Sequence, residues 1–181
     1  MPRRNFGKNR PTISEEFDKL YEEQADFVYN LSRRLSKTRS DAEDLFQDTF
    51  LKAYRFLPKF RGGSVKSWLR KIAVTTNISR HRGLKNQPTV AMDAHEGWKD
   101  SLPDQSEGPV EQAERGETRE QIESALRQLS EDARTILVLR EIEGLDYDEL
   151  STTLDIPKGT VRSRLARARE ALRKVLEADG E

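Results

Sequence analysis

The sequence predicts an all-α chain: two small helical domains, an N-terminal helical bundle and a C-terminal helix-turn-helix, joined by an extended acidic linker. Three observations carry that expectation. Apolar residues recur at helical spacing in two groups of segments, and strand-like alternation is absent from the sequence. Between the groups lies a stretch rich in Pro, Gly and acids that has no period at all. The boundaries read as a flexible basic arm over 1–13, a first helical domain over 14–84, the linker over 85–117 and a second helical domain over 118–177.

In chain order, Ser14 ahead of Glu15 and Glu16 reads as a helix start, a hydroxyl cap with acids facing the dipole. Phe17, Leu20, Tyr21, Val28, Leu31 and Leu35 carry the pattern to about Ser36, as one helix or as two broken near Glu23 to Asp26. Ser40-Asp41-Ala42-Glu43 reads as a capping box. It opens the strongest amphipathic run, with Ala42, Leu45, Phe46, Thr49, Phe50, Ala53, Tyr54 and Leu57 inward. Pro58 limits that run, and a loop over Lys59-Phe60-Arg61-Gly62-Gly63 leads to Ser64, a cap for a helix burying Val65, Trp68, Leu69, Ile72, Ala73 and Thr76.

The second group begins at a further capping box, Thr118-x-x-Gln121, with Ile122, Ala125, Leu126 and Leu129 apolar. Ser130 caps the next helix, which points Ala133, Ile136, Leu137 and Ile142 inward and stops at Gly144. A short helix over Tyr147 to Leu154, a break at Asp155-Ile156-Pro157 and a long helix from Lys158 complete the chain. In that last helix Val161, Leu165, Ala168, Leu172 and Val175 form one stripe. Its other faces carry Arg162, Arg164, Arg167, Arg169 and Arg173. An apolar seam with guanidinium groups elsewhere suits the second helix of a helix-turn-helix, which lies in the major groove. The plainer reading is a solvated basic helix on an ordinary bundle.

Bulk charge conceals this feature, because 32 Lys and Arg balance 32 Asp and Glu. Residues 49–92 nevertheless hold ten basic residues and no acid, while 93–118 carries a net charge of −6. Two positive blocks separated by acidic material set up local fields that the net figure hides. The absence of cysteine excludes a disulfide framework and cysteine-ligated zinc. No apolar run is long enough to span a bilayer, and the basic N-terminus has no hydrophobic segment behind it, so a cytoplasmic protein without membrane insertion is expected. Asp44 and Asp48 stand one helical turn apart, but no histidine or second acidic cluster accompanies them. A metal-dependent nuclease is therefore disfavoured, and no metal, cofactor or enzymatic activity is expected. His81 and His95 read as solvent-facing.

Four segments together resemble a known family: AEDLFQDTFLKAYR (Ala42 to Arg55), FRGGSVKSWLRKIAV (Phe60 to Val74), LREIEGLDYDEL (Leu139 to Leu150) and IPKGTVRSRLARARE (Ile156 to Glu170). They are similar to the bacterial RNA polymerase sigma factors of the extracytoplasmic function (ECF) group, over roughly 15–84 and 119–176. The resemblance implies a transcription initiation factor that binds core RNA polymerase, opens a −10 promoter element and binds the −35 duplex. For core binding it points to Asp44, Gln47, Asp48 and Leu51, with Asp41 and Glu43 left to compensate the helix dipole.

For the −10 element the resemblance implies Lys59, Arg61, Gly62, Gly63 and Ser64 as a loop cupping a flipped base. Lys66, Arg70, Lys71, Thr75 and Asn77 follow on the next helix, with Arg80 and Arg82 as further cations, while Trp68 is assigned to the core. The family usually has Asn where Thr75 stands, so no −10 base preference is carried over. For the −35 duplex it implies Arg162, Ser163 and Arg167 at base edges and adjacent backbone, with Lys158, Thr160 and Arg164 on phosphates. Trp98 is either an anchor for the linker or an incidental aromatic. An anti-sigma factor is a possible partner, and the alternative function is a stand-alone helix-turn-helix regulator.

Overall fold

The computed structural model describes residues 12–85 and 120–179. Most of the basic arm, the linker with His95 and Trp98, and Thr118 lie outside the described residues. Among the described residues there are seven α-helices: α1 (Ile13–Leu35), α2 (Arg39–Phe56), α3 (Val65–Lys85), α4 (residues 120–128), α5 (Glu131–Leu137), α6 (Tyr147–Leu154) and α7 (Lys158–Asp179). A 3₁₀ turn, Leu57–Lys59, follows α2, and α5 runs on into a π-turn, Val138–Ile142. No strand occurs among the described residues.

Two helix starts fall earlier than expected. Thr12, not Ser14, caps α1: its hydroxyl accepts the Glu15 N–H at 3.2 Å while the Glu15 carboxylate accepts the Thr12 N–H at 2.7 Å. Only Thr12 has an acid three residues on, so only it completes the reciprocal box. Thr38 likewise replaces Ser40, accepting the Asp41 N–H at 3.1 Å and donating to the Asp41 carboxylate at 2.8 Å. Residues 23–26 cause no break in α1, since neither Gly nor Pro interrupts them. Ser64 and Ser130 cap α3 and α5 as expected, accepting the N–H of Ser67 and of Ala133.

Helices α1 to α3 close around Leu20, Val28, Phe50, Ala53 and Leu69, with Trp68 half-buried at the edge as a core residue. Tyr54 does not join them: it is 48% exposed, its ring edge-on to Phe17 at 5.1 Å. Helices α4 to α7 form the second unit, in which Val161, Leu165 and Ala168 of α7 are buried. Its core is continuous with the first half. One apolar cluster takes Leu31, Leu35, Leu45, Ala73 and Val74 from α1 to α3 and Leu126, Leu129, Ile136, Leu137, Val138 and Leu139 from the C-terminal half.

The π-turn overturns one inward assignment. Adding a residue to the turn rotates everything after it, so Val138 and Leu139 are buried while Ile142 is 40% exposed. Ile122 on α4 is also exposed, at 41%. Gly144, at φ +71°, ends the element in the left-handed conformation that favours glycine. Asp146 then caps α6 through a capping box with Glu149. Asp155, at φ 53°, makes the turn into α7, a conformation that Asp tolerates better than most residues.

Candidate nucleic-acid interface

On α2 the side chains assigned to docking lie on one outward stripe. Gln47 and Leu51 are exposed and Asp48 is half-buried. Asp44, instead of standing alone, accepts a hydrogen bond from Arg80 of α3 at 2.8 Å. Tyr54 extends the stripe by one turn, at the i+3 position from exposed Leu51. The sequence hid that residue because its spacing also fits the buried face.

The loop before α3 is exposed from Arg61 to Ser64 and owes its shape to two glycines at φ +94° and +98°. A side chain at either position would meet no neighbour, so backbone conformation alone demands glycine there. Phe60 packs on Trp68 with ring centroids 4.8 Å apart, which ties the loop to the core. Behind it, Lys66 and Arg70 both lie over the Phe27 ring, at 4.7 and 5.6 Å from its centroid. Lys71 and Thr75 are exposed, although the Thr75 hydroxyl donates to the Lys71 carbonyl of its own helix at 2.8 Å.

Two members of this face are engaged by the C-terminal half. Nε and Nη2 of Arg70 both donate to one carboxylate oxygen of Glu143 at 3.2 Å, and the two side chains are 12% and 8% exposed. The Asn77 side-chain amide donates to Glu131 and is buried. His81 is not solvent-facing: its Nε2 lies 3.2 Å from the same Glu131 carboxylate. Arg134 completes this group. It is fully buried and pairs with Glu131, yet the cost of burying its charge outweighs that carboxylate and lowers its pKa.

The face of α7 is more open. Arg162, Ser163 and Arg167 are exposed and adjacent on one side of the helix. Arg167 donates from Nε to the Ser163 carbonyl at 3.2 Å. Lys158 pairs with Asp148, fastening the two helices of the motif together. Arg164 is separated from its expected companions. It is half-buried and lines a cleft of about 530 Å³ that also holds Lys71, Thr75 and His81 of α3. Nothing in the sequence pattern singled out Tyr147, whose ring centroid lies 5.3 Å from the Arg140 guanidinium and 5.9 Å from that of Arg162. No helix among the described residues is long and apolar enough to cross a membrane.

Comparison with known proteins accounts for both halves. Residues 20–87 match Sigma-70 region 2 and residues 119–172 match Sigma-70, region 4. The RNA polymerase sigma-H factor of Pseudomonas aeruginosa is 38% identical over 172 residues, covering 89% of this chain and 86% of the relative. The ECF RNA polymerase sigma-E factor of Escherichia coli is 36% identical over 137 residues, 73% of this chain and 72% of that one. Among solved structures, the sigma factor RpoE in complex with the anti-sigma factor NepR from Bartonella quintana aligns at a TM-score of 0.65 and 26% identity. That alignment covers 91% of this chain and 98% of the other. A stand-alone regulator is not favoured, since it leaves the region 2 half without a role. With both regions present in order and relatives of this kind along most of its length, the chain belongs to the ECF group of RNA polymerase sigma factors, which direct core polymerase to promoters.

Proposed function

We propose a division of labour among three surfaces of this sigma factor. The α2 stripe of Asp44, Gln47, Asp48 and Leu51, extended by Tyr54, docks on core polymerase. Its exposed leucine and tyrosine beside acids and an amide suit a partner helix with both apolar and basic groups. The Lys59–Ser64 loop with Lys66, Arg70, Lys71, Thr75 and Asn77 receives the opened −10 strand. Arg162, Ser163 and Arg167 meet base edges in the −35 major groove, Tyr147 holds the Arg162 guanidinium, and Lys158, Thr160 and Arg164 serve phosphates.

The observation that carries this reading is the acid-free basic stretch 49–92, which supplies loop and α3 alike, on the same chain as an exposed arginine-bearing recognition helix. Cations spread along a helix beside a glycine-shaped loop suit a displaced strand, whereas adjacent guanidinium groups on a helix start suit a duplex groove. The protein works as a non-catalytic factor in the cytoplasm. A relative's structure was solved with an anti-sigma factor, and a partner of that kind is proposed here too.

Run-off transcription over a pooled promoter library, with purified core polymerase and with or without this protein, tests the reading. Selective initiation only in the protein's presence is expected. Initiation no more selective than that of core alone would refute it.

A further inference from the structure

The cleft that Arg164 lines is walled by α3, by α5 and by the turn between α6 and α7. At about 530 Å³ it lies within the range that holds small organic ligands. Its apolar lining comes from all three walls: Ile78 of α3, Ile136 of α5, and Leu154 and Ile156 on either side of the turn. Aliphatic side chains converging in this way suit a flat ring. Around them stand Lys71 and Arg82 of α3 and Arg164 of α7, none of which makes an ion pair among the described residues. The neighbouring cations Arg70, His81 and Arg134 each have a carboxylate. Unanswered positive charge is therefore gathered at a cleft with an apolar lining.

A second observation points to a ligand. Thr135 of α5 also lines the cleft, is 2% exposed, and has a buried hydroxyl without a hydrogen-bond partner in the protein. Leaving such a group unpaired costs free energy, which an acceptor on a ligand would recover. The acids of the cleft divide in two. Glu131 is taken up by Asn77, His81 and Arg134. Asp132 and Asp155 are exposed, make no ion pair among the described residues, and can accept from hydroxyl or amino groups. A ligand that answers the whole set carries a flat ring, hydroxyl or amino donors, and more than one negative charge. Nucleoside phosphates have all three. An inorganic anion leaves the apolar lining unused, and an apolar ligand leaves the cations unanswered.

We propose that this cleft binds a free nucleoside phosphate. The ring lies against Ile78, Ile136 and Leu154, phosphate oxygens take Lys71 and Arg164, and the Thr135 hydroxyl donates to the ligand. Lys71 belongs to the N-terminal half and Arg164 to the C-terminal half, so the ligand's anionic groups bridge the two. Both cations also serve DNA in the reading above, so nucleotide and promoter compete for them. Promoter binding then weakens as the nucleotide pool rises. The competition rests on the assignment of Lys71 and Arg164 to DNA; the site does not.

The test is calorimetric titration of the full chain with ATP and GTP as probes, against adenosine, guanosine and inorganic triphosphate. One nucleotide per chain is expected, bound roughly tenfold tighter than its nucleoside and than triphosphate alone. Triphosphate binding as tightly as the nucleotide would reduce the cleft to a patch of surface charge, and no binding of either nucleotide would remove the site; both overturn the proposal. Thr135→Val keeps the side-chain shape and deletes a hydroxyl that has no partner, so thermal stability should not fall. Its affinity for the better-bound nucleotide is expected to drop roughly fivefold to tenfold, and that of Arg164→Gln by a similar factor. Unchanged affinity in both variants overturns the proposal. Should T135V lose helical circular dichroism, Lys71→Gln, at an exposed position, replaces it with the same drop expected. A nucleotide within opened DNA is told apart from a free one by holoenzyme carrying T135V, in which promoter opening should be unchanged. Opening slowed as much as nucleotide binding is weakened would make the cleft a subsite for strand, and the free nucleotide would fall. The competition fails separately: if saturating nucleotide leaves promoter binding by holoenzyme unaltered, the site stands and its coupling to DNA is overturned.

Discussion

Helices α3 and α7 are near twins in sequence terms, 21 and 22 residues long, basic and amphipathic, yet the fold treats them differently. Helix α7 is buried along the line of Val161, Leu165 and Ala168 and keeps Arg162, Ser163 and Arg167 in solvent. Helix α3 is buried on two sides, through Leu69 towards α1 and α2 and through Val74 and Asn77 towards the C-terminal half. On the proposed assignment, α7 meets duplex and α3 meets opened strand. A duplex groove is always available, so a reading helix gains from standing open. Opened strand exists only on polymerase, and a surface for it gains nothing from being bare beforehand.

The comparison is tested most severely through the core that joins the two helices. Leu165 is 1% exposed within the cluster that runs through both halves. Leu165→Ala is expected to cost about 2–5 kcal/mol. Because that cluster includes Ala73 and Val74 of α3, thermal unfolding followed by circular dichroism should shift as a single transition. Two transitions, with only one displaced, would show that the halves fold independently and that the shared core contributes little.

Next in size is the α2 stripe proposed to dock on polymerase. Gln47→Ala combined with Asp48→Ala is expected to weaken core binding by about 2 kcal/mol, on the order of thirtyfold. The fold should be intact, since Gln47 is exposed and Asp48 only half-buried. A direct binding titration decides the matter. Unaltered affinity would move the docking surface away from α2.

The helices themselves are separated by a paired measurement. Arg162→Ala is expected to cost about 1–3 kcal/mol at one promoter position and to relax selectivity there. Arg70→Ala should leave −35 duplex binding untouched and slow promoter opening by holoenzyme. Competition binding over single-base promoter variants reads the first effect, and permanganate reactivity of unpaired thymines reads the second. If Arg162→Ala weakened every sequence equally, Arg162 would position the helix and not read a base.

Much of this architecture was legible in the sequence because the signals are local. The 3.6-residue period found every helical segment, Ser64, Ser130 and Gly144 marked their ends, and Asp155-Ile156-Pro157 marked the turn of the motif. Two caps were misplaced because several hydroxyls compete near each start, and only the position of the acid three residues on selects Thr12 over Ser14. Ile142 was assigned inward because an α period was extended through a π-turn, whose extra residue leaves no mark in composition. Least legible were the partners of Arg70 and Asn77. They lie 73 and 54 residues away, and no local pattern ties Glu143 or Glu131 to α3. The candidate residues could be listed from the sequence; the pairing of Arg70 with Glu143 and of Asn77 with Glu131 could not.

The smallest expected effect contrasts the buried clasp of α3 with an exposed one on α7. Hydrogen bonds from Arg173 hold the Glu170 carboxyl below its ordinary range, and Glu170 and Glu177 in turn hold the Arg173 guanidinium protonated more firmly than usual. A folded-state pKa below the unfolded one means that this array stabilises α7 above the ordinary carboxylate pKa of about 4.3. That contribution is lost as pH falls through the lowered value. Both groups lie in open solvent, so the effect is confined to acid and sensitive to salt. Arg173→Ala should return the Glu170 carboxyl titration, followed by NMR, towards its ordinary value. About 1 M salt should move it in the same direction, since the Debye length then shrinks to about 3 Å. Added salt should leave the radius of gyration of the free chain unchanged, because Arg70 and Glu143 are largely withdrawn from solvent and share their seam with apolar contacts. If salt expanded the chain as readily as it released Glu170, the grip on α3 would be a surface ion pair like the one on α7, and the distinction between the two helices would reduce to which carboxylates happen to stand nearby.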